Sequence, residues 1–535
     1  MNHLTSSPES EPVSTEAATN STPGSDDTFS ACWDDAVAAH GPHTFLVFQQ
    51  DDGALASWSY TEFDRHVEQV ATRLHEYGVG PGDAVHLALR NCPAFVAIWL
   101  AVSRLGAWFV PSDPQSSARD ITVQLERTRP ALGVCAVGRS ETYRLGASEI
   151  SLPIIEISET IFDLEPGSIL LSDATRPPTP KPAGTDRLAV MFTSGTTAQP
   201  KGVVLTQRNY AVVAEVMAAA SNLRPEHRWL VTLPLFHANG QYFCFAPAIA
   251  VGASVALTAK FSASRWLQYA YSLRATHTSL FAAPMRMILA RTPANAPRPA
   301  MQHVWFAQTI GAEHYLAFSE LVGCRPQQIY GMTETLAIVT ADASNPPIHN
   351  SIGNAVGGRI IQIVDPVSEL ECNPGEVGMI MVEGERGVDL FSEYLDDKKT
   401  TDNSFLTVGT QTWFRSGDLA VAEPSGLLKF MGRADDVIKV AGENVSLTEV
   451  EAIVAQAPGV LEAAVISRPD ALLDFVPIAY VVPNDLANPP TVVALRTWAE
   501  QQLPPQARPR EWVVIAELPH TSVGKVRKYQ INSQK

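Results

Sequence analysis

Thr193-Ser-Gly-Thr-Thr-Ala-Gln-Pro-Lys-Gly202 follows directly on the apolar run Leu188-Ala-Val-Met-Phe192. A strand that delivers a loop rich in hydroxyls and glycine, with one lysine, suits phosphate oxygens. Backbone N–H groups and Ser/Thr hydroxyls can converge there because glycine permits turns that other residues resist. The loop departs from the Walker pattern: Pro200 replaces its second glycine and has no N–H, and Lys201 precedes Gly202 rather than Ser or Thr. Alone, the stretch would read better as a solvated turn. Its surroundings decide otherwise.

Upstream, helical and strand patterns alternate: a helix over 60–77, a strand over 84–89, a helix over 93–105, then apolar segments at 108–110, 132–137 and 153–157. Downstream, a helix over 208–221 and a strand over 229–233 continue the rhythm. Strands alternating with helices predict layered α/β architecture with largely parallel sheets. Gly78, Gly80 and Gly82 follow a helix and precede a strand, the wrong order for a dinucleotide fingerprint, so they predict a helix-stop turn. Residues 170–186, with four prolines, read as a surface linker.

With 535 residues, two or more domains are expected. Residues 1–28 are almost devoid of large apolar groups and read as a disordered tail. A large domain over 29–431 follows, then a charged hinge at 432–436. The remainder, 437–535, reads as a small α+β domain whose helix opens at the capping box Ser446-Leu-Thr-Glu449 and runs towards Ala457. A net charge of −17 argues against nucleic acid as partner. Six scattered cysteines predict reduced thiols in a cytoplasmic protein, and the greasiest helical stretch, 95–110, is too short to span a bilayer.

Four further segments stand in order after the loop: Leu233-Pro-Leu-Phe-His-Ala-Asn-Gly240, Tyr330-Gly-Met-Thr-Glu-Thr335, Ser416-Gly-Asp418 with Gly432-Arg433, and Thr521-Ser-Val-Gly-Lys-Val-Arg-Lys528. Each has a bland explanation by itself: a core tyrosine, a turn aspartate, a satisfied histidine, a solvated lysine. Together they resemble the adenylate-forming superfamily, in its acyl-CoA synthetase branch of AMP-dependent acid–CoA ligases, with a texture similar to carnitine/crotonobetaine-CoA ligases.

The resemblance implies a large N-terminal domain of layered α/β sheets and a small mobile α+β lid. It implies ATP, Mg2+ and coenzyme A as co-reactants, and two steps: a carboxylic acid attacks the α-phosphate to give an acyl-adenylate and pyrophosphate, and the CoA thiol then displaces AMP. Thr193, Ser194, Gly195, Thr196, Thr197 and Lys201 would cradle the β- and γ-phosphates. Glu334 would hold the metal and Thr333 would touch the α-phosphate within Gly331-Met332-Thr333. Tyr330 would stack on adenine, with Gly311-Ala312-Glu313 opposite, and Asp418 and Arg433 would bind ribose. Lys525 would bridge the carboxylate and the α-phosphate. The lid would rotate about Asp435, bringing Lys439, Gly442 and Glu443 to the CoA tunnel.

His237 would sit by the carboxylate and the thiol entrance. Phe236, Trp305, Phe306, Ile310, Ala337 and Ile338 would line an acyl pocket. No aspartate accompanies His237 to pair an ammonium, so the expected substrate is a small-molecule, non-amino carboxylic acid. Two alternatives stay open: transfer mainly from a preformed acyl-adenylate, and loading of a carrier protein in trans, which is less favoured. A homodimer is compatible. The chain departs from the family pattern at Ala198, Gln207, Ile310, Glu393 and Leu447.

Overall fold

A computed structural model describes residues 27–193, 200–344, 347–441, 443–470, 472–520 and 526–532. Ser194, Gly195, Thr196, Thr197, Ala198, Gly442 and Lys525 lie outside the described residues, as does the tail to residue 26.

Every residue from Pro93 to Ser103 is buried in the helix Pro93–Arg104, so this helix is core rather than a surface amphipath. Proline opens it at a position whose N–H has no intrahelical partner. Trp99 stacks on Phe29 with ring centroids 5.1 Å apart. The neighbouring seven-stranded sheet has the order Glu393–Tyr394, Lys201–Thr206, Arg187–Thr193, Trp108–Pro111, Ala84–Ala88, Leu132–Ala136, Ile154–Ile157. Trp108–Pro111 and Arg187–Thr193 run parallel, so the segment after Pro111 and the phosphate loop leave the same edge.

A nine-stranded sheet contains the parallel strands Arg228–Val231, His277–Phe281, His303–Ala307 and Gln327–Tyr330. Their carboxyl ends deliver the His237 segment, Phe281, the Gln308–Gly311 turn and Tyr330 to one edge, where ligands bind in open α/β sheets. A five-stranded antiparallel sheet pairs Gln411–Ala422 with Leu428–Arg433 and sets Asp418 opposite Arg433.

From Val437 onward the chain builds a separate sheet, with Glu443–Ser446, Val437–Val440, Asp474–Pro483 and Val460–Asp470 in order and Glu511–Val514 parallel to Asp474–Pro483. Two apolar clusters, one around Val465 and Leu495 and one around Ile478 and Leu518, draw their buried residues only from 438–531. This domain therefore has its own core.

Three local expectations change. Residues 170–186 are irregular, but Leu170, Leu171 and Ser172 are buried and the Arg73 guanidinium donates to the Leu171 carbonyl, so the linker is fastened at its start. Ser446 Oγ accepts from the Glu449 N–H at 3.2 Å, but the Glu449 carboxylate lies 3.6 Å from Lys429 of the large domain instead of completing the box. The helix it opens is Leu447–Val454, shorter than expected. Gly78 does stop its helix, at φ +88° with its N–H on the His75 carbonyl.

Candidate active site

Tyr330 ends its strand at the carboxyl edge of the large sheet, buried, with its hydroxyl donating to Asp418 Oδ2 at 2.8 Å. Arg433 Nε lies 3.3 Å from the other Asp418 oxygen. Burial pushes the Tyr330 phenol up, so it stays a donor. Three residues from two sheets thus join around one carboxylate. The Asp418 side chain is 10% exposed and the Arg433 side chain 43%, so polar groups line an opening rather than a sealed core.

Glu334 sits on the short helical turn Thr333–Thr335. Thr335 Oγ1 accepts from the Met332 N–H at 3.1 Å, and Arg359 donates to the carbonyls of Thr335 (2.6 Å) and Asp389 (2.8 Å). The next residue, Leu336, has φ +55°, a left-handed conformation that a bulky side chain disfavours, so the turn carries strain that these bonds hold in place. The Glu334 carboxyl is buried and accepts from the Tyr394 hydroxyl at 2.9 Å. Burial pushes its titration up, and the Tyr394 bond works against that.

The phosphate loop springs from a hairpin whose described ends are set. Thr193 and Lys201 face each other in register. The Arg127 guanidinium donates to the carbonyls of Pro200 (2.7 Å) and Leu395 (2.8 Å), and covers the Phe192 ring at 5.1 Å. The Lys201 ammonium lies 5.0 Å from the centre of the Tyr394 ring. Neither Arg127 nor Tyr394 is marked as a site residue by sequence motif. Their partners lie 60 to 268 positions away, and no local signal could have shown them.

His237 bonds its backbone N–H to the Pro234 carbonyl at 3.3 Å, with the Phe236 ring 4.7 Å from its imidazole. The chain then widens into the π-helical segment Asn239–Phe245, a form met mostly as short bulges and often at functional sites. Asn239 donates to Ser279 Oγ at 2.7 Å, and Gln241 links the Tyr210 hydroxyl to the Leu235 carbonyl.

The six expected acyl-pocket residues divide, which corrects the sequence reading. Phe236, Trp305, Ala337 and Ile338 belong to one buried cluster, whereas Phe306 and Ile310 belong to another with Tyr315 and Phe318. Strand side chains alternate, so adjacent Trp305 and Phe306 must face opposite sides of the sheet. Two departures from the family pattern also find local explanations. Gln207 is buried between Ser30 and Ser103, and Glu393 pairs with Val204 in extended backbone, so no glycine is required there.

Gly311 caps the helix Ala312–Val322, with Ala312 and Glu313 exposed at its start. A Cβ on Gly311 would lie 2.8 Å from Gln456 Cγ of the C-terminal domain. That domain also touches the large one where Arg286 Nε donates to the Leu461 carbonyl (3.2 Å) and where Arg527 comes within 3.9 Å of Asp113. Asp113 follows the strand beside the phosphate-loop strand, so the chain just after Lys525 approaches that edge. Lys439 and Glu443 are exposed on the hairpin of strands Val437–Val440 and Glu443–Ser446. Asp435 lies in the short turn Ala434–Asp436.

Among the described residues no group of three or more His, Cys, Asp or Glu could cage a metal. Magnesium, however, is commonly held by one or two carboxylates together with substrate phosphates, and a single buried Glu334 facing the phosphate hairpin suits that donor set. No described helix is long and apolar enough to cross a membrane.

Comparison with known proteins agrees with this layout. The model of the AMP-binding enzyme family matches residues 33–395, and that of the AMP-binding enzyme C-terminal domain matches 449–525. A crotonobetaine/carnitine–CoA ligase of Proteus mirabilis (strain HI4320) is 30% identical over 461 residues, 84% of this chain and 88% of the relative. An anthranilate CoA ligase solved in complex with anthranoyl-AMP superposes with a TM-score of 0.84 at 20% identity, over 96% of this chain and 98% of the other. A benzoate CoA ligase from Burkholderia xenovorans LB400 gives 0.82 at 22%, over 94% and 99%.

Proposed function

The chain belongs to the AMP-binding enzyme family, and from that premise we propose that it is an ATP-dependent acid–CoA ligase. A carboxylate oxygen attacks the α-phosphorus of ATP, the bond to the bridging oxygen breaks, and pyrophosphate leaves. The thiol of coenzyme A then adds to the acyl carbon, loses its proton, and AMP departs with the electron pair.

The observation that carries this reading is the convergence of Tyr330, Asp418 and Arg433 at a sheet edge that also presents buried Glu334 opposite the phosphate hairpin. A nucleotide laid there would have Tyr330 and Gly311-Ala312-Glu313 about its base, Asp418 and Arg433 at its ribose hydroxyls, and Thr333 at its α-phosphate. Lys201 and the hydroxyls of the 193–197 loop would hold the outer phosphates. Two anions must meet in this reaction, so fixed donors that cancel charge at the moment of attack supply much of the rate. Magnesium bound with the nucleotide would add positive charge at the phosphates; Glu334 would orient it. Lys525, on a lid that turns about Asp435, would serve the first step and withdraw for the second, when Lys439, Gly442 and Glu443 line the thiol path.

Phe236, Trp305, Ala337 and Ile338, with His237 at the mouth, would receive a non-amino carboxylic acid. Crotonobetaine and carnitine enter the test panel through the relative's name, alongside aryl and aliphatic acids. Six free cysteines suit a reducing compartment, and we place the enzyme in the cytoplasm. The decisive assay is acid-dependent release of pyrophosphate and AMP, with and without CoA. Pyrophosphate with every thiol acceptor inactive except a carrier protein would replace CoA as acceptor; no pyrophosphate with any acid, alongside CoA transfer from supplied acyl-AMP, would remove the first step.

A further inference from the structure

Lys201 and Glu334 carry opposite charges, and both lie against one side chain. The Tyr394 hydroxyl donates to Glu334 Oε1 at 2.9 Å, and the face of the same ring meets the Lys201 ammonium 5.0 Å from its centre. An ammonium and a carboxylate this close to a common neighbour would ordinarily pair with each other. Paired, each would be spent: the lysine on a carboxylate instead of phosphate, the glutamate on an ammonium instead of a metal ion. Resting on the ligase reading above, we propose that Tyr394 is a positioning residue that keeps these two charges apart and aims them separately, Lys201 at the outer phosphates and Glu334 at the divalent cation.

The ring suits the task because its two ends offer different chemistry. Its face carries negative quadrupolar charge that attracts a cation, and its hydroxyl is a donor that satisfies a carboxylate oxygen. Because the hydroxyl bonds Glu334 Oε1, Oε2 would be the oxygen turned to a cation. The ring itself is anchored from several directions. The short strand Glu393–Tyr394 pairs with Val203 and Val204, the Tyr394 N–H donates to Thr401 Oγ1 at 2.9 Å, and the Leu395 N–H donates to the Gly202 carbonyl at 2.7 Å. Phe391 packs its ring 4.7 Å from that of Tyr394 while its N–H holds the Glu334 carbonyl. The Arg127 bonds to Pro200 and Leu395 tie the two flanks of this arrangement together. The spacer, the lysine and the glutamate therefore form one braced unit.

Calorimetric titration of the full chain with ATP, without any acid substrate, separates the two ends of the ring. Tyr394→Phe removes the hydroxyl and keeps the face. Its magnesium requirement for ATP binding should rise about tenfold, while its affinity for metal-free ATP stays within about twofold of the parent. Tyr394→Leu removes both ends and should also weaken metal-free ATP about tenfold, because Lys201 is then released to Glu334. Tyr394→Met, close in volume but without a π face, replaces the leucine variant should that one not fold. A merely structural tyrosine would lower the melting temperature and leave the magnesium midpoint alone. A parental magnesium midpoint in Tyr394→Phe, or parental metal-free affinity in a folded Leu or Met variant, overturns the proposal. A parent chain that binds no ATP overturns the ligase reading as well.

Discussion

The sheet edge that gathers Tyr330, Asp418 and Glu334 and the C-terminal domain are held by different kinds of contact. At the edge, Asp418 serves Tyr330 and Arg433 together, and Glu334 is enclosed by Tyr394, Phe391 and a turn that Arg359 braces. Most of these groups are buried, and each is fixed from more than one side. The C-terminal domain packs within itself and reaches the large one through polar contacts spread over its surface: Arg286 to Leu461, Lys429 to Glu449 at 3.6 Å, and Arg527 to Asp113 at 3.9 Å. The Lys429–Glu449 pair is exposed and worth little in water, whereas Arg286 is buried at the seam with Glu462 and Glu451 of the C-terminal domain nearby. Under the proposed function, an edge fixed from several sides beside a domain with its own core would let two successive reactions share one site.

That contrast can be broken experimentally, beginning with the largest expected effect. Lys525→Ala should cut acid-dependent pyrophosphate release by about 10³-fold, the upper range for removal of one charge-stabilising donor. CoA transfer from supplied acyl-AMP should survive nearly intact; equal loss of both steps would refute a role confined to the first. Asp418→Ala removes the shared carboxylate from Tyr330 and Arg433. It should raise KM for ATP and lower unfolding free energy in urea by about 2 kcal/mol, between the worth of an exposed and a buried charge pair because Arg433 is partly exposed.

Arg286→Ala tests the seam with the C-terminal domain. Loss of its bond to the Leu461 carbonyl should speed limited proteolysis around 432–436 about fivefold, with the large-domain melting temperature unchanged. Unchanged cleavage would show that this contact does not hold the C-terminal domain.

The smallest effect concerns His520, which pairs with Glu462 at 3.1 Å inside the C-terminal domain and has Glu517 nearby. The Glu462 hydrogen bond raises its titration above the ordinary 6.5, against the opposing effect of burial. A raised value in the fold means that the stabilisation is complete below 6.5 and disappears as pH climbs through the raised value. His520→Gln should flatten that dependence, by about 1 kcal/mol, the ordinary net worth of one hydrogen bond. Denaturant titrations at pH 5.5 and 8.5 decide it.

Much of the layout was legible because it is encoded locally. The helix over 93–104 is apolar on all sides, so its burial follows from composition. Gly78 and the proline at 93 mark helix boundaries through backbone geometry alone. The acyl set was less legible. Trp305 and Phe306 look alike as neighbouring aromatics, yet the strand sends them into different clusters, and Ile310 follows Phe306. The capping box at Ser446 formed only in half, because Lys429, seventeen positions upstream, offers Glu449 another partner. Tyr394 and Arg127 were invisible as site residues for the same reason.

The sequence alone determined the alternation of strands and helices, the phosphate-loop pattern, the small second domain and the motif order that places the chain in its family. Those features depend on periodicity, on backbone preferences and on residues close together in the chain. Only the tertiary structure decided that Asp418 would be shared by Tyr330 and Arg433, that Arg127 would clamp both flanks of the phosphate hairpin, and that one tyrosine would stand between Lys201 and Glu334. Such contacts form when separate sheets pack against each other, and their energy depends on distance in space, which no spacing along the chain records.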